Sequence, residues 1–304
     1  MSGWYGLVGA PTDVGNVDCG AAEGPGALRA MGLPRRMGMV DRGDVRGPAY
    51  DGRPDATGSR SVRETAAWCA AVRDGVAGVL ADGGFPLMLG GDHAMALGSI
   101  AAAAAHARQE GRNFFVLWFD AHPDFNTPET TPSGNTHGYP AALACGIGHP
   151  DLLSVGAFTP LIRPDRLIQF GVRDIDAGER ANLLRIGVEF HEMDAVREKG
   201  LEALVAHTIA RIQAAGGGHV HVSFDIDALD PAAAPGVGTP VSGGLTPAET
   251  VGAMRLLGAS GLVRSLDIVE FAPRHDRDGM TALTVEQVLA GFMAGRTGQR
   301  ALVA

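Results

Sequence analysis

Three short segments of this sequence carry acidic and histidine side chains directly after an apolar run. They are GGDH (90–93), DAHPD (120–124) and DID (225–227). Brought together, they would supply two histidines and four aspartates as metal ligands: His93, Asp120, His122, Asp124, Asp225 and Asp227. Four carboxylates in one small space repel each other strongly unless cations lie between them. We therefore expect two divalent metals, and a mixture of Asp and His suits manganese better than metals that prefer thiolates.

The spacing within these segments favours a shared site. DAHPD (120–124) places three ligands two residues apart and DID (225–227) places two, so each set points to one side of an extended chain. The simpler interpretation, that these residues only cap helices and form turns, leaves the converging carboxylates without charge compensation. We expect Asp92 to accept a backbone hydrogen bond or to hold a neighbouring ligand. Two metals sharing one water lower its pKa toward about 7, which predicts hydrolysis without a protein nucleophile.

Short apolar runs alternate with longer helical patterns along the whole chain. The predicted strands are 5–10, 85–90, 114–119, 166–172, 219–226 and 262–269, and the predicted helices are 62–80, 94–108, 201–215 and 246–258. This alternation is typical of an α/β fold with a mostly parallel central sheet covered by helices on both faces. Because no linker or shift in composition divides the sequence, we expect a single three-layer α/β/α domain, 1–304. In such sheets, loops at the carboxyl ends of the strands form the binding crevice.

The composition excludes several classes of protein. The 304 residues have a formal net charge of −9 with dispersed basic residues, which argues against a nucleic-acid partner. Three cysteines without a CxxC pair indicate neither a disulfide framework nor a structural zinc site. The first residues lack the basic region of a signal peptide, and no apolar run is long enough for a membrane span. We therefore expect a soluble cytoplasmic protein that acts on a small molecule.

These residues, in this order, resemble the ureohydrolase family, which includes arginases, agmatinases and related enzymes with two manganese ions. The resemblance covers nearly the whole chain and is carried by seven motifs: GAPTDVGNVDCGAAEGP (9–25), GGDHAMALGS (90–99), WFDAHPDFNTPETTPSGNTHGYP (118–140), GVRDID (171–176), SFDIDALDP (223–231), GTPVSGGLT (238–246) and LDIVE (266–270). It implies that Asp120 and Asp225 bridge the two metals. His93 and Asp124 would complete one site, and the remaining pair, His122 and Asp227, the other.

The long loop 126–136 looks like the version found in arginases. By this resemblance Asn126, Ser133 and Asn135 contact the α-carboxylate of the substrate, while Asp176 and Glu179 lie near its α-amino group. The same resemblance gives His137 the role of proton relay and Glu270 that of holding the guanidinium by paired hydrogen bonds, with Thr246 supporting that end. Histidine suits the relay because its pKa lies near neutrality. The implied reaction is hydrolysis of L-arginine to L-ornithine and urea.

Two alternatives stay open at this point. RHDRDGMTA (274–282) resembles agmatinases and formiminoglutamases instead, and Tyr139 could narrow the cleft, so the substrate could be agmatine, formiminoglutamate, hydroxyarginine or another guanidino acid. A catalytically silent relative that only binds or assembles is the other alternative. The resemblance also implies a homo-oligomer, a trimer or a hexamer.

Overall fold

The computed structural model describes residues 4–298, which are built around a sheet of eight strands. The strands are β1 (Tyr5–Ala10), β2 (Met39–Asp44), β3 (Phe85–Gly90), β4 (Phe114–Phe119), β5 (Leu167–Val172), β6 (Glu189–Glu192), β7 (His219–Asp225) and β8 (Val263–Val269). Their order across the sheet is β2-β1-β3-β8-β7-β4-β5-β6, and all neighbours are parallel. Consequently the carboxyl ends of all eight strands lie at the same end of the sheet.

Helices connect successive strands and cover the sheet. They are α1 (Gly24–Ala30), α2 (Leu33–Arg36), α3 (Val62–Ala81), α4 (Ala96–Gln109), α5 (Pro140–Ala144), α6 (Pro150–Leu153), α7 (Ala177–Ile186), α8 (Met193–Lys199), α9 (Leu201–Ala214), α10 (Pro247–Ala259) and α11 (Met280–Thr297). Within residues 4–298, none of these helices combines the length and the apolar character needed to cross a bilayer.

Two hydrophobic cores, one on each face of the sheet, make the fold a three-layer α/β/α structure. In β4, Phe115 and Leu117 pack into the core formed with α8–α11, whereas Val116 and Trp118 pack into the core formed with α3–α6. Side chains of a strand alternate between faces, so a strand buried on both sides must be apolar throughout. The predicted fold class is confirmed, and the sheet is entirely parallel.

The predicted strands and helices agree with the structure to within about two residues at each end. The prediction missed β2 and β6, which form the two edges of the sheet. Both are polar: β2 reads MVDRGD and is mostly exposed, and β6 reads EFHE and is half-buried along its length. An edge strand buries fewer side chains and therefore lacks the continuous apolar run that identified the central strands.

Candidate functional site

The predicted metal ligands and Glu270 lie together at the carboxyl ends of the four central strands. His93 begins a short 3₁₀ turn after β3, and Asp120 directly follows β4. Asp225 is the last residue of β7, and Glu270 directly follows β8. Because β3, β8, β7 and β4 are neighbours in that order, segments far apart in the sequence meet in one place.

The first donor set surrounds His93. Its Nδ1 lies 2.9 Å from Asp120 Oδ2, 2.9 Å from Asp225 Oδ2 and 3.2 Å from Asp124 Oδ2. All four side chains are buried, and this Nδ1 has no hydrogen-bond partner within the described residues. A buried nitrogen without a partner is costly, whereas a lone pair facing three carboxylates suits a cation.

The ring of His93 is held in place on its other side. Its Nε2 lies 2.9 Å from Ser223 Oγ, and the ring stacks on Trp118 with centroids 4.1 Å apart. The indole nitrogen of Trp118 in turn donates to Asp120 Oδ2 at 2.9 Å. With Nε2 as the donor to Ser223, the Nδ1 lone pair is left free to bind a metal.

The second donor set consists of Asp120, His122 and Asp227. His122 Nδ1 lies 3.1 Å from Asp227 Oδ2 and 3.5 Å from Asp120 Oδ1. Asp120 therefore turns one oxygen toward each set, which is the geometry of a bridging carboxylate. Both sets are groups whose ligand atoms lie close enough to hold one ion each.

The charges of this cluster fit divalent cations. Burial raises the pKa of Asp225 well above its usual value, and the charges of Asp227 and Asp120 add to that effect. Burial and the charge of Asp120 likewise raise the pKa of Asp124 to about 6. The buried carboxylates thus strongly favour a positive partner, and the donor set of imidazole and carboxylate can accept one.

Next to these donors lie the two residues that were expected to act on the guanidinium end of a substrate. His137 Nδ1 lies 3.3 Å from Glu270 Oε1, which also accepts the backbone N–H of His93 at 2.9 Å. Burial lowers the pKa of His137, but the contact with Glu270 outweighs it and the resulting pKa is about 9. Glu270 Oε2 has only a long contact, 3.9 Å, from Cys19 Sγ among the described residues. This oxygen is therefore available to a further hydrogen-bond donor.

Two acidic residues of the site have a left-handed backbone. The φ angles are +48° at Asp124 and +64° at Glu270. This conformation costs a residue with a side chain about 1–3 kcal/mol, and such strain persists where the surrounding structure fixes it. The backbone N–H of Glu270 donates to Gly91 at 2.8 Å, and the carbonyl of Asp124 accepts from Ala141 at 3.1 Å. These bonds hold both carboxylates toward the cluster.

The first part of the long loop brings together three residues that were expected near the α-carbon of the substrate. Asn126 Nδ2 donates to Asp176 Oδ2 at 3.0 Å. Glu179 is buried, and its two oxygens accept the backbone N–H groups of Phe125 at 2.9 Å and of Asp176 at 3.1 Å. In this structure Glu179 therefore holds the loop and the backbone of Asp176, whose exposed side chain accepts the hydrogen bond from Asn126.

The second part of the loop lines a cavity of about 550 Å³ together with segments from elsewhere in the chain. Asn135 Nδ2 donates to Asn16 Oδ1 at 3.0 Å, and Ser133 Oγ accepts the backbone N–H of Asn135 at 3.2 Å. Arg60, from the irregular segment before α3, donates through Nε to the carbonyl of Ser133 at 3.1 Å. Sequence reasoning missed both residues, because Asn16 was given no role within the motif 9–25 and nothing local marks Arg60.

Thr246 has a different position from the one expected. It is the exposed N-cap of α10, where its Oγ1 accepts the backbone N–H of Glu249 at 3.3 Å in a capping box. The threonine at the site is Thr239, whose Oγ1 donates to Asp227 Oδ2 at 3.0 Å. Both threonines lie in the motif GTPVSGGLT (238–246), and only the folded structure distinguishes them.

Two other expectations can be checked against the structure. Asp92 accepts backbone N–H groups from Gly15 at 2.8 Å and Ala94 at 2.9 Å, so its expected role as a backbone acceptor is confirmed. Tyr139 does not narrow the cleft. It is fully buried, and its hydroxyl lies 3.0 Å from Ser59 Oγ, where it ties the loop to the segment before α3.

Comparison with known proteins agrees with this geometry. Residues 5–295 match the model of the Arginase family. Arginase of Bacillus caldovelox is 38% identical over 95% of this chain and 97% of its own length. The native structure of that enzyme superposes with a TM-score of 0.90 at 35% identity, covering 99% of this chain and all of its own. Formimidoylglutamase of Bacillus subtilis superposes with a TM-score of 0.78 at 25% identity, covering 98% of this chain and 88% of its own.

The match spans the segments that carry the two donor sets, the long loop and Glu270, and both chains are covered almost completely. This protein belongs to the arginase family.

Proposed function

We propose that this protein hydrolyses L-arginine to L-ornithine and urea with two Mn²⁺ ions. The observation that carries the proposal is Asp120, whose two carboxylate oxygens face two separate donor sets. A shared carboxylate between two imidazole-containing sets is the arrangement expected of a two-metal hydrolase. A binding protein without catalysis has no need for such a cluster.

The metal ligands follow the assignment expected from the family. His93 and Asp124 would hold one ion, His122 and Asp227 the other, and Asp120 and Asp225 both. When bound, two divalent cations supply an acidified water and stabilise negative charge that develops during hydrolysis. Ser223 and Thr239 orient the donors by hydrogen bonds to His93 and Asp227.

The residues of the chain bind and orient the guanidinium and transfer a proton. Glu270 Oε2 accepts hydrogen bonds from the guanidinium, which is favourable because both groups are charged. Hydrolysis adds water to the guanidinium carbon and breaks its bond to the side-chain nitrogen, which must gain a proton as it leaves. His137, whose pKa is raised by Glu270, holds that proton close to the cleft.

The other end of the substrate would meet the long loop. Asn126, Ser133 and Asn135 offer amide and hydroxyl groups to an α-carboxylate, and Asp176 offers a carboxylate to an α-amino group. Agmatine has no α-carboxylate, so it would make no contact of this kind with the first three residues. The curated arginases of 34–38% identity also favour L-arginine.

A second candidate function is hydrolysis of another guanidino or formimino compound. The likeness to formimidoylglutamase and the segment RHDRDGMTA (274–282) favour it. However, Asp276 accepts the backbone N–H groups of Thr281 and Ala282, so this segment has a structural role at the start of α11. The candidate with L-arginine is therefore preferred.

We also propose a single ureohydrolase domain, 1–304, that acts in the cytoplasm as a homo-oligomer, a trimer or a hexamer. The continuous sheet supports the single domain, and the resemblance to the family supports the assembly. Light scattering coupled to size exclusion measures the number of subunits.

The test of the proposed function is product release by manganese-loaded protein. Urea is measured with L-arginine, agmatine, 4-guanidinobutyrate and hydroxyarginine side by side, and formamide is measured with formiminoglutamate. We expect the highest kcat/KM with L-arginine, and no activity in Asp120→Asn. A preference for agmatine or formiminoglutamate would overturn the proposed substrate. The absence of product from all of these compounds would overturn the proposal that the protein is a hydrolase of this kind.

A further inference from the structure

A second cluster of side chains that can bind a metal lies near the amino ends of the strands, at the opposite end of the sheet from the candidate active site. It consists of His106 in the last turn of α4, Glu110 one residue beyond that helix, and His219, the first residue of β7. Asp225, at the other end of β7, is six residues further along, or about 20 Å away at the rise of a β-strand. The cluster is therefore separate from the hydrolytic site.

The ligand atoms have the separation that one small cation requires. His106 Nε2 lies 3.4 Å from Glu110 Oε1, and His219 Nε2 lies 3.0 Å from Glu110 Oε2. One atom from each residue lies within 4.8 Å of the other two. Tetrahedral zinc with ligands at about 2.0–2.2 Å keeps them about 3.3 Å apart, so the side chains need move little.

The backbone around this cluster is fixed. The N–H of His219 donates to the carbonyl of Asn113 at 2.8 Å, and the N–H of Glu110 donates to the carbonyl of His106 at 3.1 Å. His219 is buried, with only 6% of its side chain exposed, whereas Glu110 is 48% exposed. One wall of the cluster is thus rigid, and the other is open to the water that would complete the coordination.

The charges around the cluster have two opposing effects on metal binding. Burial lowers the pKa of His219, and the nearby charges of Arg264, His106 and Arg112 lower it further against the effect of Glu110. A neutral ring keeps its nitrogen lone pair for a metal. The same two arginines repel a cation, so the site should bind more weakly than the two donor sets around Asp120.

We propose that His106, Glu110 and His219 form a third metal site that binds Zn²⁺ and links α4 to β7. Two imidazoles and one carboxylate favour Zn²⁺ over Mn²⁺, because borderline nitrogen donors outnumber oxygen. A metal here contributes stability rather than catalysis, since it binds the folded protein and not the unfolded chain.

In the test, manganese-loaded protein is mixed with a small excess of Zn²⁺, and unbound metal is removed by gel filtration. The total number of metal ions per chain is then measured. Elemental analysis should find one more ion per chain in the wild type than in Glu110→Gln. Exchange of Zn²⁺ for Mn²⁺ at the hydrolytic site leaves this difference unchanged, because it does not alter the total. His207→Gln, which removes an exposed histidine of α9, is the matched control and should bind as much as the wild type.

Thermal unfolding gives a second reading. Zn²⁺ should raise the Tm of the wild type and of His207→Gln but not that of Glu110→Gln, and His219→Gln should agree with Glu110→Gln where it folds. Equal metal content and equal Tm shifts in the wild type and Glu110→Gln would overturn the proposal. Neither reading depends on urea release, so the proposal fails or succeeds independently of the proposed function.

Discussion

His137 Nδ1 lies 3.3 Å from Glu270 Oε1, so the expected proton relay and the expected guanidinium-binding carboxylate are in direct contact. Because of this contact, the residue expected to supply the proton to the leaving amine and the residue expected to bind the guanidinium influence each other directly. It also explains why the pKa of a buried histidine is raised and not lowered.

Replacement of Glu270 by Gln should lower the pKa of His137. The amide keeps the shape of the side chain but removes the charge that raises the pKa to about 9, while burial continues to lower it. NMR titration of the histidine ring protons measures the shift, with His137→Asn to assign the resonance. An unchanged pKa in Glu270→Gln would contradict the pairing.

The same variant should also lose activity. A hydrogen bond to a charged group contributes about 1.5–3 kcal/mol, so kcat/KM for L-arginine should fall about 10- to 100-fold. Steady-state urea release at saturating Mn²⁺ measures the loss. If Glu270→Gln kept the kcat/KM of the wild type, Glu270 would not be a residue that binds the guanidinium.

Thr239→Val and Thr246→Val should affect different properties of the protein. Thr239 donates to Asp227, a proposed metal ligand, so its loss should weaken metal binding about 10- to 100-fold. Thr246 caps α10, so its loss should lower the free energy of unfolding by about 1 kcal/mol and leave metal binding unchanged. Manganese titration and urea denaturation measure the two effects. If Thr246→Val weakened metal binding more than Thr239→Val, the assignment would be reversed.

Arg60→Ala should weaken binding of substrates that carry an α-carboxylate. Arg60 donates to the carbonyls of Ser133 and Gly52, and so holds the loop against the segment before α3. Loss of these bonds should raise KM for L-arginine about fivefold, for roughly 1 kcal/mol, with little change in kcat. Arg53, which has an 86% exposed side chain, is the control. An equal rise in KM for Arg53→Ala would point to surface charge instead.

Glu179→Gln should remove part of the pH dependence of stability. Burial raises the pKa of Glu179 from its ordinary 4.5 to about 8, so the folded protein binds a proton that the unfolded chain has released between these values. Stability from this group is complete below pH 4.5 and is lost as the pH rises to 8. The slope approaches about 1.4 kcal/mol per pH unit for one group.

Urea denaturation from pH 5 to 8 compares the slopes of wild type and variant, both loaded with Mn²⁺. The variant should have the shallower fall, whatever its absolute stability. Parallel curves would mean that Glu179 titrates alike in the folded and unfolded states.

The central strands and the clustering of the six expected ligands could be predicted because each has a local signal. A strand buried on both faces is a continuous apolar run, and each ligand segment follows such a run. Arg60 and Thr239 have no such signal, since Arg60 acts through a carbonyl 73 residues away and Thr239 through a carboxylate 12 residues away. Contacts of this kind depend on how irregular segments cross, which neither periodicity nor propensity encodes.

The strand order has a consequence for synthesis of the chain. β8 lies between β3 and β7 and pairs with both. It therefore joins the half-sheet β2-β1-β3 to the half-sheet β7-β4-β5-β6. In a nascent chain, His93 and Asp225 therefore belong to two half-sheets that cannot be joined by strand pairing until residues 263–269 have left the ribosome. Before then each half exposes an unpaired inner strand, a surface prone to aggregation. The enzyme should thus gain its metal ions only after nearly complete translation, and premature termination before β8 should give insoluble products without activity.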